Sequence, residues 1–399
     1  MIQTIYITRN GLLEPLGQSQ VMAYLRGLSQ DYDITLITYE KKKDWYNKKA
    51  MLRAQKECAD FGITWKPQLF WSKPKIIAPA ISMIHMIWLL RIEVFRKNIR
   101  LIHSRSYIPA AVSLVISRMT KTPFIFDMRA LWPEELITAG RLHRGSLLHR
   151  AIVKLERACL AKSVGVISLT KVAIDYLKSS YPEELKTQKL VVIPTCADLK
   201  RFTPLSGKPS GPIVYGCIGT LLSGWFLTDW LAKWMRLVIL RNPSSYFKII
   251  TLDDSVNVKE MLDPSNELHG RFTIVSHSTE QMPEVIRNLD VSVMFFSSGL
   301  SKLGSSPTRL AEVLGSGLPV VVNDNVGDVA DIVKKNNVGV IVEGTNTYQM
   351  EKALNQLLIL LNDSELISRC RNTAKKLFSL EVGTEAYRKM YKSIINIKE

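Results

Sequence analysis

Short apolar runs alternate with longer amphipathic stretches along the whole chain. In the first half, residues 4–8, 34–39, 101–103, 124–126, 165–168 and 190–193 have strand length and strand composition. Between them, residues 19–30, 79–98, 108–118, 147–161 and 171–179 repeat apolar positions at helical spacing. The second half follows the same plan. Strands are expected at 213–216, 247–251, 272–275, 291–295, 319–322 and 338–342, with helices at 226–241, 256–262, 280–288, 307–314, 328–335 and 347–361. Strands that alternate with helices predict a parallel sheet covered on both faces. Residues 198–212, DLKRFTPLSGKPSGP, are rich in Pro, Gly and Ser and lack periodicity, so they read as a linker. The expected organisation is an α/β domain over 1–200, a second over 201–376, and a C-terminal helix over 377–399 with Tyr387, Met390, Tyr391 and Ile394 on one face. Open parallel sheets bind ligands at the carboxyl ends of their strands, so two such sheets facing each other would make a cleft.

At 399 residues, with 46% hydrophobic and 22% charged positions, the composition is that of an ordinary globular protein. The five cysteines (Cys58, Cys159, Cys196, Cys217 and Cys370) are scattered and never in C-x-x-C spacing, which predicts reduced thiols and neither a disulfide framework nor a zinc cluster. The N-terminus reads as a first strand, and no signal peptide is expected. Charge changes the picture more. The net charge is +17, and residues 1–200 carry 31 basic against 16 acidic side chains while residues 201–399 carry 22 against 20. A basic half fits an anionic surface, nucleic acid or acidic lipid; a generally basic background would give the same count. Residues 76–90, IIAPAISMIHMIWLL, are too few to span a bilayer, which takes about 20 apolar residues. They read as a buried helix, or as one lying in a membrane interface anchored by Trp88, Lys73, Lys75, Arg91, Arg96 and Lys97.

Four segments could carry chemistry. Gly11 to Gly17, followed by Gln18-Ser19-Gln20, lies between the first strand and a helix, where a glycine lets backbone approach a phosphate at the helix start. An ordinary turn accounts for the same residues, and the segment is not a G-x-G-x-x-G fingerprint. Ser301-Lys302-Leu303-Gly304-Ser305-Ser306-Pro307-Thr308-Arg309-Leu310-Ala311-Glu312 places Ser306 as an expected N-cap and Pro307 as the first helical residue. Glu312 then leans back toward the helix start, where a carboxylate can accept two hydrogen bonds from a ribose diol or simply face solvent. Asp127-Met128-Arg129-Ala130-Leu131-Trp132-Pro133-Glu134-Glu135 follows a buried strand, with three acids and an arginine serving either a site or a salt bridge. His103-Ser104-Arg105-Ser106-Tyr107 also follows a strand, and its histidine is either a structural group or a catalyst. No helix-turn-helix, RNA-binding sheet or zinc pattern accompanies the charge, so no nucleic-acid partner is expected.

Together these residues resemble glycosyltransferase family 4 over essentially the whole chain. The resemblance is carried by Gly17-Gln18-Ser19-Gln20, by Ile193-Pro194-Thr195-Cys196-Ala197-Asp198 with Phe202 and Pro204, and by Gly216-Cys217-Ile218-Gly219. Its most specific stretch runs from Ser306-Pro307-Thr308-Arg309-Leu310-Ala311-Glu312 to Gly317-Leu318-Pro319. Arg129-Ala130-Leu131-Trp132-Pro133-Glu134 is similar to a run in bacterial surface-sugar transferases. The resemblance implies a GT-B fold: two facing Rossmann-like domains with a C-terminal helix crossing back to the first. It implies a retaining, metal-independent transferase that moves a sugar from a nucleotide donor to a lipid-linked or growing surface glycan, as in polysaccharide, O-antigen or capsule biosynthesis. It needs no cofactor, and it would work in the cytoplasm at the inner face of the cytoplasmic membrane.

By position, the resemblance implies that Glu312 holds the ribose, that Ser306, Thr308 and Arg309 hold the diphosphate, and that Gly17 and Gly219 approach the donor. Lys302 or Arg309 stands in for the basic residues that the family carries after the first second-domain strand. Asp127, Arg129 and Glu134 are the catalytic candidates, with Asp127 or Glu134 assisting the acceptor hydroxyl. Three departures from the family pattern stand out. Its first motif Glu falls at Gly304. Thr220-Leu221-Leu222-Ser223-Gly224 lacks the usual Arg and Lys. The first-domain His aligns with Arg129. Those departures keep two alternatives in view: a catalytically inactive nucleotide-binding partner, and a sugar-nucleotide epimerase.

Overall fold

The apolar runs become strands of two separate parallel sheets. The computed structural model describes residues 1–71, 78–205 and 211–395. Lys73 and Lys75, the first residues of the 76–90 stretch, and part of the 198–212 linker lie outside the described residues. The chain divides into two units, Met1–Pro194 with the chain from Leu380 onward, and Thr195–Ser379. The first crossing thus comes at Pro194, ahead of the Pro/Gly/Ser-rich segment. The last helix, Leu380–Ile395, belongs to the first unit.

The first sheet contains β1 (Ile2–Thr8), β2 (Tyr32–Glu40), β3 (Thr64–Leu69), β4 (Leu101–Arg105), β5 (Phe124–Asp127), β6 (Gly165–Ser168) and β7 (Lys189–Val192), in the order β3-β2-β1-β4-β5-β6-β7. The pattern predicts six of these strands. The seventh, β3, reads Thr-Trp-Lys-Pro-Gln-Leu and is nowhere fully buried. It is an edge strand, where a proline is tolerated and a continuous apolar run is not required. The helix Lys48–Asp60 also escapes the pattern, since Ala54 and Cys58 are its buried residues.

Right-handed crossovers decide which helices cover which face. Links that step from β1 to β2 and β3 put their helices on one face, where Leu380–Ile395 packs against Ala23–Leu28. Links that step from β3 back across to β4, β5 and β6 put Ala78–Lys97, Tyr107–Thr120 and Leu147–Lys162 on the other face. There the middle helix packs against both of its neighbours. Tyr387, Met390, Tyr391 and Ile394 are buried, as the stripe on the last helix predicts.

The second sheet contains β8 (Val214–Ile218), β9 (Tyr246–Ile250), β10 (Phe272–Val275), β11 (Val291–Met294), β12 (Val320–Asn323) and β13 (Gly339–Val342), in the order β10-β9-β8-β11-β12-β13. All six match predicted strands to within two residues. Two apolar clusters are built on this sheet. One contains Leu310, Leu314, Val320 and Phe378, and the other contains Tyr215, Trp234, Phe247 and Phe295. A helix Leu366–Phe378, invisible to the pattern, closes the unit through Leu366, Cys370, Ala374 and Phe378.

Candidate active site

In the second unit, the chemistry-bearing residues collect where the strands end. After β8 the chain turns on Gly219 at φ +149°, a backbone conformation side chains rarely adopt. The short 3₁₀ turn Leu221–Ser223 follows, with the Leu222 N–H donated to Asp253 Oδ2 at 3.0 Å. Beyond β11 comes the short helix Leu300–Leu303, which ends at Gly304. Lys302 is 8% exposed and lays its ammonium 3.4 Å from the centre of the Trp225 ring. The burial strengthens such a cation–π contact.

The helix Thr308–Gly315 starts one residue later than the capping pattern predicts. Pro307, extended at ψ 124°, stands at the cap position. Ser306 is not the N-cap: its Oγ accepts the Thr195 N–H at 3.2 Å. Thr308 and Arg309 therefore form the first turn, whose N–H groups lack intrahelical acceptors and favour an anion. Glu312 lies one turn further on, and its carboxylate receives the Arg309 guanidinium through Oε2. Burial pushes the Glu312 pKa up, and Arg309 works against that shift.

In the first unit, the loop after β1 is held by acids of its own chain. Glu40, fully buried at the end of β2, accepts the Leu12 N–H at 2.7 Å, the Leu13 N–H at 3.2 Å and the Thr38 hydroxyl at 2.6 Å. Glu14 accepts the Gly11 N–H at 3.2 Å. A Cβ on Gly17 would stand 2.1 Å from the Gly11 carbonyl oxygen. The close fold of its own loop thus accounts for a glycine at position 17.

The ends of β4 and β5 carry a buried ionic cluster. Asp127 has no exposed surface. Its Oδ2 lies 3.2 Å from His103 Nε2 and accepts the Tyr387 hydroxyl at 3.0 Å. Arg105 Nη1 stands 3.7 Å from the same oxygen, and Arg129 Nη1 stands 3.6 Å from Oδ1. Arg129 adopts φ +62° and donates to the Tyr387 hydroxyl at 3.2 Å. Burial works to raise the Asp127 pKa, but Arg129, His103 and Arg105 outweigh it and hold the group at about 2. Burial lowers the His103 pKa, so the ring is neutral at pH 7. A carboxylate only accepts, so the single ring proton sits on Nε2, and Nδ1 accepts the Tyr391 hydroxyl at 2.8 Å.

These positions revise the catalytic candidates. Asp127 is enclosed and fixed as an anion, so it orients Arg129 and His103 and does not reach an acceptor hydroxyl. Glu134 is held through both of its oxygens by the Nη atoms of Arg144. The Arg129 side chain is 11% accessible, whereas Asp127 has no exposed surface. Sequence reasoning gave no role to Glu40 or Trp225, and named Arg105 only within the segment that follows the strand expected at 101–103. Arg105 and Glu40 end β4 and β2, just beyond the strands expected at 101–103 and 34–39, which was a usable signal; nothing local marks Trp225. Among the described residues, no group of three or more His, Cys, Asp or Glu could hold a metal ion.

Comparison with known proteins agrees with this layout. The profile described as Glycosyltransferase Family 4 matches residues 18–201, and that described as Glycosyl transferases group 1 matches residues 259–377. No curated protein matches the sequence. Among solved structures, a glycosyltransferase from Rickettsia africae is similar at TM-score 0.72 and 14% identity, over 99% of this chain and 98% of that one. Anabaena Alr3699/HepE, in complex with UDP and glucose, is similar at TM-score 0.68 and 12% identity, over 98% of this chain and 100% of that one. WaaG, a glycosyltransferase of lipopolysaccharide biosynthesis, is similar at TM-score 0.63 and 12% identity, over 96% and 98% of the two chains. At these identities the likeness establishes the GT-B fold.

Proposed function

Because the chain belongs to glycosyltransferase family 4, we propose that it transfers a sugar from a nucleotide-sugar donor to a lipid-linked or growing surface glycan, with retention of anomeric configuration and without a metal. The observation that carries this reading is Glu312, a largely buried carboxylate one turn behind the first N–H groups of Thr308–Gly315. In that place it accepts the two ribose hydroxyls, while the Thr308 and Arg309 N–H groups meet the diphosphate. Lys302 and Arg309 offset the charge that builds on the leaving phosphate, the task a metal would otherwise perform. That phosphate takes the acceptor proton, since Asp127 and Glu134 are both engaged. Arg129 stays protonated at any working pH and steadies negative charge on a substrate phosphate.

Solved relatives support the donor class: the Anabaena protein has structures with UDP and with UDP-glucose. WaaG, and the galactosyltransferase WaaB of the lipopolysaccharide outer core, support a surface glycan. The working location is the inner face of the cytoplasmic membrane, where a lipid-linked acceptor is presented. Among the described residues, no helix is long and apolar enough to cross a membrane.

Titration calorimetry with UDP-, GDP- and TDP-sugars tests the donor. Turnover on a lipid-diphosphate-linked glycan, with NMR of the new linkage, tests transfer and stereochemistry. Failure of every nucleotide sugar to bind overturns the proposal. One observation favours a second reading: Gly304 has no side chain where the family carries the Glu that contacts the donor sugar. Donor binding with neither transfer nor hydrolysis would identify a nucleotide-binding partner.

A further inference from the structure

Three adjacent helices of the first unit share an unusual outer face. Ala78–Lys97, Tyr107–Thr120 and Leu147–Lys162 lie side by side in one layer. Their exposed positions include large apolar side chains: Ile84, Trp88 and Phe95 on the first, Met119 on the second, and Leu147 and Leu148 on the third. On the first helix Ile81, Ile84, Trp88 and Phe95 are spaced by three, four and seven residues, with Arg91 in the turn between the last two. They form one stripe opposite the buried Met86, Leu90 and Val94. The stretch read from sequence as a buried helix, or as one lying in a membrane interface, is thus buried along one side only over its residues 81–90.

The charges on this layer are one-sided as well. The three helices contain two acids, Glu93 and Glu156, and both are buried, 2% and 4% exposed. Glu93 pairs with Lys66. Glu156 accepts the Tyr107 and Tyr181 hydroxyls at 2.7 and 2.6 Å. The exposed charges are Arg91, Arg96, Arg118, Arg150, Lys154, Arg157 and Lys162, every one of them positive. Arg91 also stacks its guanidinium 5.6 Å from the centre of the exposed Phe95 ring. The face ends at the next helix, Lys171–Ser180, which exposes Asp175.

We infer that this three-helix layer is the surface with which the protein lies on an anionic lipid bilayer. Apolar side chains exposed singly are ordinary, but Ile81, Ile84, Trp88 and Phe95 along one helix face make a patch of the kind that marks a contact surface. Arg and Lys interleaved with Trp and aliphatic residues match a headgroup boundary: the cations meet lipid phosphates and the apolar groups enter the acyl edge. A nucleic-acid site would supply the cations but not the aliphatic side chains. Ala78–Lys97 and Leu147–Lys162 both begin at the carboxyl ends of the strands that precede them. Ile84, Leu147 and Leu148 therefore rim the ligand side of the sheet. A bilayer met there holds lipid-linked substrates beside that end, and this consequence alone rests on the proposed transferase reading.

The test is co-sedimentation of the full chain with vesicles of phosphatidylglycerol and phosphatidylethanolamine, against phosphatidylcholine vesicles, at physiological salt. Binding to the anionic vesicles alone is expected. Arg91→Glu with Arg150→Glu and Lys154→Glu should lower the partition by at least about tenfold. Trp88→Ser with Phe95→Ser should lower it too, and should leave a weaker association that salt removes. These side chains are exposed, and an unchanged melting temperature in each variant confirms folding. Unchanged vesicle binding in both variants overturns the assignment, as does binding to a short RNA in preference to anionic vesicles. Turnover on a soluble acceptor should survive in both, so loss of vesicle binding and loss of the transferase reading remain distinguishable.

Discussion

The Tyr387 hydroxyl donates to Asp127 Oδ2 at 3.0 Å across 260 positions of sequence. The bond ties the last helix of the chain to the carboxyl end of β5. It also adds a hydrogen bond to an anion that faces two arginines and a histidine. Tyr391, one turn later, reaches His103 from the same helix. The last helix thus reaches the ionic cluster at the strand ends as well as covering the sheet.

Removing the central charge should be costly. Asp127→Ala leaves Arg105 and Arg129 buried without a counter-ion, and loss of one partner from such a group costs about 3–5 kcal/mol. Tyr387→Phe removes one hydrogen bond to a charged acceptor and should cost about 1.5–3 kcal/mol. Urea unfolding of the first unit's transition measures both. An Asp127→Ala variant as stable as the parent would show that the cluster is not held by its carboxylate.

The same cluster predicts acid sensitivity. The Asp127 pKa is depressed to about 2 in the folded protein, against about 3.9 unfolded. Its contribution is present above the unfolded value and is lost as pH falls through that window. The His103 pKa is also lowered, by burial. The unfolded ring therefore binds a proton near pH 6.5 before the folded one does, and stability falls on the same side. Melting temperature should decline steadily from about pH 6.5 downward. His103→Gln should flatten the upper part of that decline and leave the steep acid limb. A melting curve flat between pH 7 and 4 contradicts the assignment.

Much of this was legible in sequence, and the omissions have physical causes. Interior strands write themselves as apolar runs, and the edge strands β7 and β10 keep apolar composition without burial, so twelve of the thirteen strands among the described residues can be read directly. The exception, β3, sits at an edge and needs no such run. Lys48–Asp60 and Leu366–Phe378 bury thin stripes among many charges, and periodicity alone cannot raise them above a loop. The helix bearing Glu312 is placed correctly, but its cap is displaced because Ser306 is engaged by Thr195, a contact made 111 positions away. The Asp127 cluster was visible as residues and invisible as a cluster. Tyr387 and Tyr391 read only as a buried stripe until the fold brings them to the end of β5.

Chelation should leave turnover intact. The one Asp-x-Asp, Asp31-Tyr32-Asp33, lies at the amino end of β2, where Asp31 pairs with Arg388 at 2.6 Å and Asp33 accepts from Gln3 at 2.6 Å. Both carboxylates are committed at the end of the sheet opposite to the ligand side. Initial rates with and without EDTA check this, and a strict requirement for Mg²⁺ or Mn²⁺ would refute it.

Glu312 supplies the sharpest test of the donor site. Its carboxylate is largely buried and shares one oxygen with Arg309. Glu312→Gln keeps the shape but loses the charge and half the acceptor capacity toward a diol. Each charge-assisted hydrogen bond lost costs about 1.5–3 kcal/mol, so nucleotide-sugar affinity should fall by roughly one to two decades. The substitution also frees Arg309, which separates a binding role from a structural one. A purely structural Glu312 would lower the melting temperature and leave the affinity of the folded fraction unchanged. Protonation gives an independent readout. Burial raises the Glu312 pKa, so the ionised form that accepts ribose hydroxyls is lost at a higher pH than for an exposed glutamate. Donor affinity in the wild type should therefore weaken as pH falls toward that raised value, while the Glu312→Gln variant shows no such dependence. Calorimetric titration of the two proteins across the acid range measures this, and parallel pH profiles would remove Glu312 from the donor site.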